Sequence, residues 1–184
     1  MNIVQPIRDP IMIEQVKRYL LTSSPRYGER NRMLFVFGIN VGLRVQDILK
    51  LRVMDVKGEH IVMREMKTDK QKWIKINPTL RKELKRYVAN MDEFDFLFQS
   101  REGKNKPLTR DMAYKILKKA ADDIGLVDIG THTMRKTFGY HFYQKTKDIV
   151  LLQKIFNHSS PEVTMRYIGM DQDMMDKGID DFGL

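Results

Sequence analysis

Apolar residues recur along this chain with two different periods. Ile13, Val16 and Leu20 stand three and four apart, the spacing of one helix face. Asp9-Pro10 offers a capping side chain and a first-turn proline, so a helix is predicted from there through Leu20. Ser23-Ser24-Pro25 breaks it. From about Gly28 to Val41, Met33-Leu34-Phe35-Val36-Phe37 and Ile39 leave almost no polar face, which predicts a helix central to the core. Gly42 can end that helix in the left-handed conformation, and Leu43-Arg44 turns into a short helix from Val45 to Leu51.

The period then shortens. Val53 to Val56, His60 to Met66 and Lys72 to Ile76 predict a three-stranded antiparallel sheet, joined through Lys57-Gly58 and Lys67-Thr68-Asp69-Lys70. Helical patterning returns at Asn77-Pro78 and runs to about Met91. Phe94 to Phe98 reads as a buried strand or a helical turn, and Arg101 to Pro107 as a basic loop. Thr109 caps a helix ending near Gly125, Thr131 one from His132 to about Lys145, and Asp148 one through Phe156. Ser160-Pro161 opens a short helix carrying Tyr167, and Asp171 to about Ile179 forms a terminal helix. The predicted class is mainly α with a small three-stranded antiparallel sheet, in one domain spanning residues 1–184.

Charge narrows the partner. Lys+Arg 33 against Asp+Glu 24 gives a net +9, which favours a polyanion, nucleic acid before an anionic membrane. From Gly169 onward five Asp face one Lys, so the basic charge lies in the preceding residues. Residues 64–86 hold nine Lys or Arg against three acids, and residues 101–119 hold seven against two. Solvated helix faces would explain either zone alone. Zero cysteines exclude disulfides and thiolate metal sites. Without a run of roughly 20 apolar residues or a signal peptide, a cytoplasmic location is expected. An RNA-binding or membrane-surface role lacks a stacking-aromatic motif or a single cationic amphipathic face.

Several residues could carry phosphoryl chemistry. His132 and Arg135, three apart at a helix start, share one face and make a reasonable anion clamp, although a basic helix start can be merely exposed. Arg44 follows the most apolar helix with Asp47 three residues on; such pairs are often structural, but an acid can also orient a phosphate-binding arginine. Lys67 in the hairpin turn could protonate a leaving alkoxide, in competition with Lys70 and Lys72, or simply sit at the surface. His158 and Tyr167, nine apart, read singly as a structural histidine and an amphipathic core tyrosine. Together a tyrosine hydroxyl could attack phosphorus while its helpers neutralise the oxyanion.

Gly-Leu-Arg-x-x-Asp-Ile-Leu at 42–49, Lys-Thr at 67–68, His-x-x-Arg at 132–135 and His-Ser-Ser with a tyrosine at 158–167 occur in one order. From about Ile7 through Ile168 the chain resembles the catalytic domain of the tyrosine recombinases, the phage integrase family. The resemblance implies a site-specific DNA recombinase or integrase working through a 3′-phosphotyrosine intermediate. Arg44 and Arg135 would bind the non-bridging oxygens, Lys67 would protonate the 5′-hydroxyl leaving group, and His132 would assist proton transfer from the tyrosine. His158 would hydrogen-bond the phosphate, Tyr167 would be the nucleophile, and Asp47 would orient the first arginine. No metal and no nucleotide cofactor is implied, since two guanidiniums and a lysine take the place of metal ions.

The sequence departs from the family pattern at Asn157, where a glycine often precedes the last histidine, and at Lys136, where His or Arg is frequent. The N-terminal DNA-clamping domain is expected to be absent, so binding to double-stranded DNA should be weak and salt-sensitive. The tail resembles a segment that packs on a neighbouring protomer. A tetramer on DNA and a monomer when free are expected, with Ile168, Met174, Met175, Ile179 and Phe182 as the contact residues. Two alternatives share the scaffold. A type IB topoisomerase-like relaxase would relax plasmid as a monomer, and a non-catalytic DNA-binding regulator would have lost some of these side chains.

Overall fold

Several helix starts along the chain are set by capping side chains that the computed structural model, describing residues 4–64 and 71–183, shows bond by bond. The Asp9 carboxylate accepts from the Ile11 N–H at 2.8 Å ahead of α1 (Pro10–Thr22). Helix α2 (Gly28–Val41) is apolar nearly all round and buries Met33 to Gly38, packed between α1, α4 (Pro78–Tyr87) and α6 (Thr133–Thr146). It ends at Gly42 in the left-handed conformation (φ 64°). The Phe138 ring is pressed so close there that a Cβ would lie 2.4 Å from it. A short α3 (Val45–Ile48) follows, stopping before the expected Leu51.

Two strands, not three, form the sheet among the described residues. β1 (His60–Arg64) pairs antiparallel with β2 (Gln71–Lys75), with His60 opposite Lys75 and Arg64 opposite Gln71. The expected first strand, Val53–Val56, is a single 3-10 turn. Both local and distant bonds set it: the Arg52 N–H donates to the Asp55 carboxylate at 2.7 Å, the Val53 and Met54 N–H groups donate to the Asp95 and Glu93 carbonyls at 3.0 Å, and Val53 and Val56, three apart, are both buried. Strand geometry would instead have put Asp55 on the same face as Val53. Residues 94–98 form turns and bends rather than a strand, with a single bridge from Phe96 to Arg52; Leu97 and Phe98 are buried while Phe94 stays exposed.

Helix α4 ends at Tyr87 rather than Met91, and α5 covers Arg110–Asp123 behind the Thr109 cap. Ahead of α6 it is His132, not Thr131, that stands at the N-cap position, with no side-chain cap. The Thr133 hydroxyl accepts the Gly130 N–H at 2.9 Å instead, which moves the first turn on by one residue. Helices α7 (Ile149–Phe156), α8 (Pro161–Ile168) and α9 (Met170–Phe182) complete the chain.

Apolar residues form two clusters. The large one gathers α1 to α5 and takes in Met134 of α6. A smaller one holds Leu152, Phe156, Ile168 and Met170, ringed by Phe138, Tyr140, Phe142, Tyr143 and Tyr167. Gly139 permits its closeness to α6, because a Cβ there would come within 2.8 Å of both Ile168 and Phe156. Ile168, expected in a contact between protomers, is instead fully buried in this cluster. Met174, Met175, Ile179 and Phe182 are exposed on α9, which is tied down by a two-pronged contact from Arg8 to Asp173 (3.0 and 3.1 Å).

Candidate active site

The Ser160 hydroxyl accepts the Val163 N–H at 3.3 Å and Pro161 takes the first helical position, so α8 starts where its sequence directs. Ahead of it Asn157 adopts the left-handed conformation (φ 54°) and closes α7. Asparagine tolerates that conformation better than most residues, so the turn that glycine would make is kept. Gln153 pinches it: the His158 N–H donates to the Gln153 carbonyl, and the Gln153 amide donates to the His158 carbonyl, both at 3.1 Å. His158 Nδ1 lies 3.1 Å from the Thr164 hydroxyl.

Seven residues into α8, Tyr167 lies with its ring edge-on to His158 at 5.0 Å and to Phe156 at 5.6 Å. Its hydroxyl is 3.1 Å from His132 Nδ1. Arg135, one turn further along α6, is only 3% exposed. Its guanidinium donates to the Gly42 carbonyl at 2.6 Å and the Phe156 carbonyl at 2.9 Å, and lies 4.2 Å over the Phe156 ring. Arg44 enters α3 in an extended conformation and is half-buried; Asp47, three residues on, is buried at 1% exposure.

Electrostatics join these groups. Burial raises the Tyr167 pKa, opposed by the positive charges of Arg135 and Arg44. Burial, then Arg135, Arg44 and Lys72, push His158 down to about 4. His132 sits at the rim with one side open. Desolvation of the rest of its ring, followed by Arg135, Lys136, Arg110 and Arg44, holds it below the ordinary histidine value. Both histidines are therefore neutral near pH 7, and His132 can accept a proton from the phenol.

Of the residues predicted from sequence, Arg44, His132, Arg135, His158 and Tyr167 come together in one zone, with Asp47 buried within α3 three residues after Arg44. Lys67 lies outside the described residues. Lys72 is near enough to influence His158. Two neighbours of the tyrosine were missed. Lys136, named from sequence only as a departure from the family pattern, has its ammonium 5.1 Å over the Tyr167 ring and a pKa lowered by burial. Thr164, one turn before Tyr167 on the same helix face, signalled itself only through that spacing. Among the described residues no group of three or more His, Cys, Asp or Glu is placed to hold a metal ion, and no helix is long and apolar enough to cross a membrane.

Residues 11–174 match the model of the phage integrase family. The chain belongs to the phage integrase family. Within that family it is 52% identical over 174 residues to the probable integrase/recombinase YoeC of Bacillus subtilis, covering 94% of this chain and 93% of that one. It is 28% identical over 158 residues to the tyrosine recombinase XerA of Pyrococcus furiosus, covering 84% of this chain and 54% of XerA. Its fold is similar to that of the XerH site-specific recombinase, solved in a post-cleavage complex with a palindromic difH substrate. There the TM-score is 0.73 at 20% identity, over 93% of this chain and 51% of XerH. This phage integrase family chain matches over nine-tenths of YoeC but spans about half the length of XerA and XerH.

Proposed function

We propose that this chain is the catalytic unit of a site-specific DNA recombinase that cuts and rejoins DNA through a 3′-phosphotyrosine link. The observation that carries this reading is the placement of the Tyr167 hydroxyl 3.1 Å from His132 Nδ1 inside a zone made positive by Arg44 and Arg135. The phenol oxygen attacks phosphorus as its proton passes to His132, and the 5′-oxygen leaves with a proton from Lys67. Arg44 and Arg135 hold the non-bridging oxygens as negative charge grows on them, and His158 adds a hydrogen bond. The Arg135 fork already spends two N–H groups on carbonyls, which fixes its plane before DNA arrives. Asp47 orients Arg44. In the return step another 5′-hydroxyl attacks the phosphotyrosine, so neither a metal nor a nucleotide cofactor is called on.

Double-stranded DNA is the partner, held chiefly through phosphates, so affinity for this chain alone falls steeply as salt is raised. On DNA the exposed apolar face of α9, with Met174, Met175, Ile179 and Phe182, packs on a neighbouring copy in a tetramer. Deleting residues 172–184 then lowers recombination between two sites while leaving the Tyr167 phenol in place. The decisive experiment is incubation with a nicked suicide DNA carrying the recognition sequence. A covalent protein–DNA adduct that Tyr167→Phe abolishes supports the reading; an adduct that persists in that variant refutes it.

A further inference from the structure

The Thr164 hydroxyl has one hydrogen and two neighbours. The Ser160 carbonyl oxygen lies at 3.0 Å and His158 Nδ1 at 3.1 Å. A carbonyl can only accept, so the first contact uses the hydroxyl hydrogen and turns an oxygen lone pair toward Nδ1. The second contact is then a hydrogen bond only if Nδ1 carries the hydrogen. Sending the hydroxyl hydrogen to Nδ1 instead would make one bond and leave two bare oxygens 3.0 Å apart. Thr164 is fully buried, so water does not compete for either contact. Its own N–H donates to the same Ser160 carbonyl at 3.2 Å, and the Gln153 pinch fixes the histidine backbone.

A neutral ring with hydrogen on Nδ1 offers only a lone pair at Nε2, the one nitrogen left to meet a phosphate oxygen. Two lone pairs repel. We propose that Thr164 is a positioning residue that holds His158 in its Nδ1–H form, so that His158 grips the scissile phosphate only as an imidazolium and binding takes up one proton there. This rests on the recombinase reading above and adds a pH-sensitive grip to it. Among the described residues, the charged and titratable groups around His158 are Arg135 from α6, Arg44 ahead of α3, Lys72 from β2 and Tyr167 from α8. Burial and these cations keep the ring neutral in the free protein above about pH 4; an anion between them offsets their repulsion and favours protonation.

The test uses the full chain with 15N-labelled histidine and reads each ring by NMR, with sulfate as an anion that does not titrate in this range. In the free protein at pH 6, His158 is expected to carry hydrogen on Nδ1 alone, and added sulfate to give a doubly protonated ring. Sulfate affinity should fall about tenfold from pH 5 to pH 6, the slope of one linked proton. Thr164→Val should shift His158 toward the Nε2–H form and flatten that slope, and Thr164→Ser should restore both. A hydrogen on Nε2 in the free wild-type protein, or a His158 ring that stays neutral when sulfate is added, overturns the proposal. Failure here is separable from failure of the recombinase reading: the ring state is read without DNA, whereas the Tyr167-dependent adduct is read by covalent capture.

Discussion

The two apolar clusters of this molecule are built differently, and the site lies on the seam between them. The large cluster draws interlocking aliphatic and phenylalanine side chains from α1 to α5 around α2. The small one rests on four fully enclosed residues, with partly exposed aromatics around them. Arg44 emerges from the first, whereas His158 and Tyr167 belong to the second. Arg135 spans both, with one N–H on the carbonyl of Gly42, where α2 ends, and another on that of Phe156 in the small cluster. The arginines of the proposed anion grip are thereby tied to the larger cluster, while His158 sits in the smaller one. Tyr167, the proposed nucleophile, rides on the half with fewer buried apolar residues, where local opening costs least.

Five measurements break or sharpen this contrast, taken from the largest expected effect to the smallest. Tyr167→Phe should lower adduct formation on the suicide substrate by at least about 10⁴-fold, since no second nucleophile replaces a deleted one. Urea denaturation should show its fold retained. Arg135→Ala leaves two carbonyls on the seam without their donor, and a loss of about 3–5 kcal/mol is expected in urea denaturation. A loss below about 1 kcal/mol would mean that the two clusters are held together without that stitch.

Protonation of His158 probes the small cluster. His158 has its pKa lowered from an ordinary 6.5 to about 4, so the unfolded chain binds the proton more tightly. Its contribution is fully present above pH 6.5 and is lost as pH falls toward 4, by up to about 3 kcal/mol. Denaturation of the wild type and of His158→Gln from pH 7 to pH 4 should diverge in slope over that window; parallel curves would remove the effect. On the large-cluster side, Gly42→Ala combines a left-handed backbone with a collision against Phe138, costing about 1–3 kcal/mol. The smallest change is Asp173→Asn. Its ion pair with Arg8 is about one-third exposed, so a loss below about 1 kcal/mol is expected in thermal unfolding.

Much of this was written in local sequence. Asp9-Pro10, Asn77-Pro78, Thr109, Asp148 and Ser160-Pro161 all start helices where their chemistry says, because a cap or a first-turn proline acts within four residues. The ordered motifs led to the residues of the site for the same reason: each is a short string with its own spacing. Where tertiary partners compete with local preference, reading failed. Val53–Val56 is rich in strand-forming valine, yet the Asp55 carboxylate and the carbonyls of Glu93 and Asp95, which accept from the Met54 and Val53 N–H groups, hold it as a turn. Ile168 read as tail, but Gly139 opens a place for it against α6.

By itself, then, the sequence determined a mainly helical chain, its helix starts and the residue types able to grip and attack a phosphate. Only the tertiary structure decided that Arg135 would stitch two clusters and that Thr164 would face His158. It also decided that Lys136 would lie over the tyrosine ring. Those relations join residues whose positions depend on how α6, α7 and α8 pack, and side-chain packing across helices leaves no periodic trace along the chain.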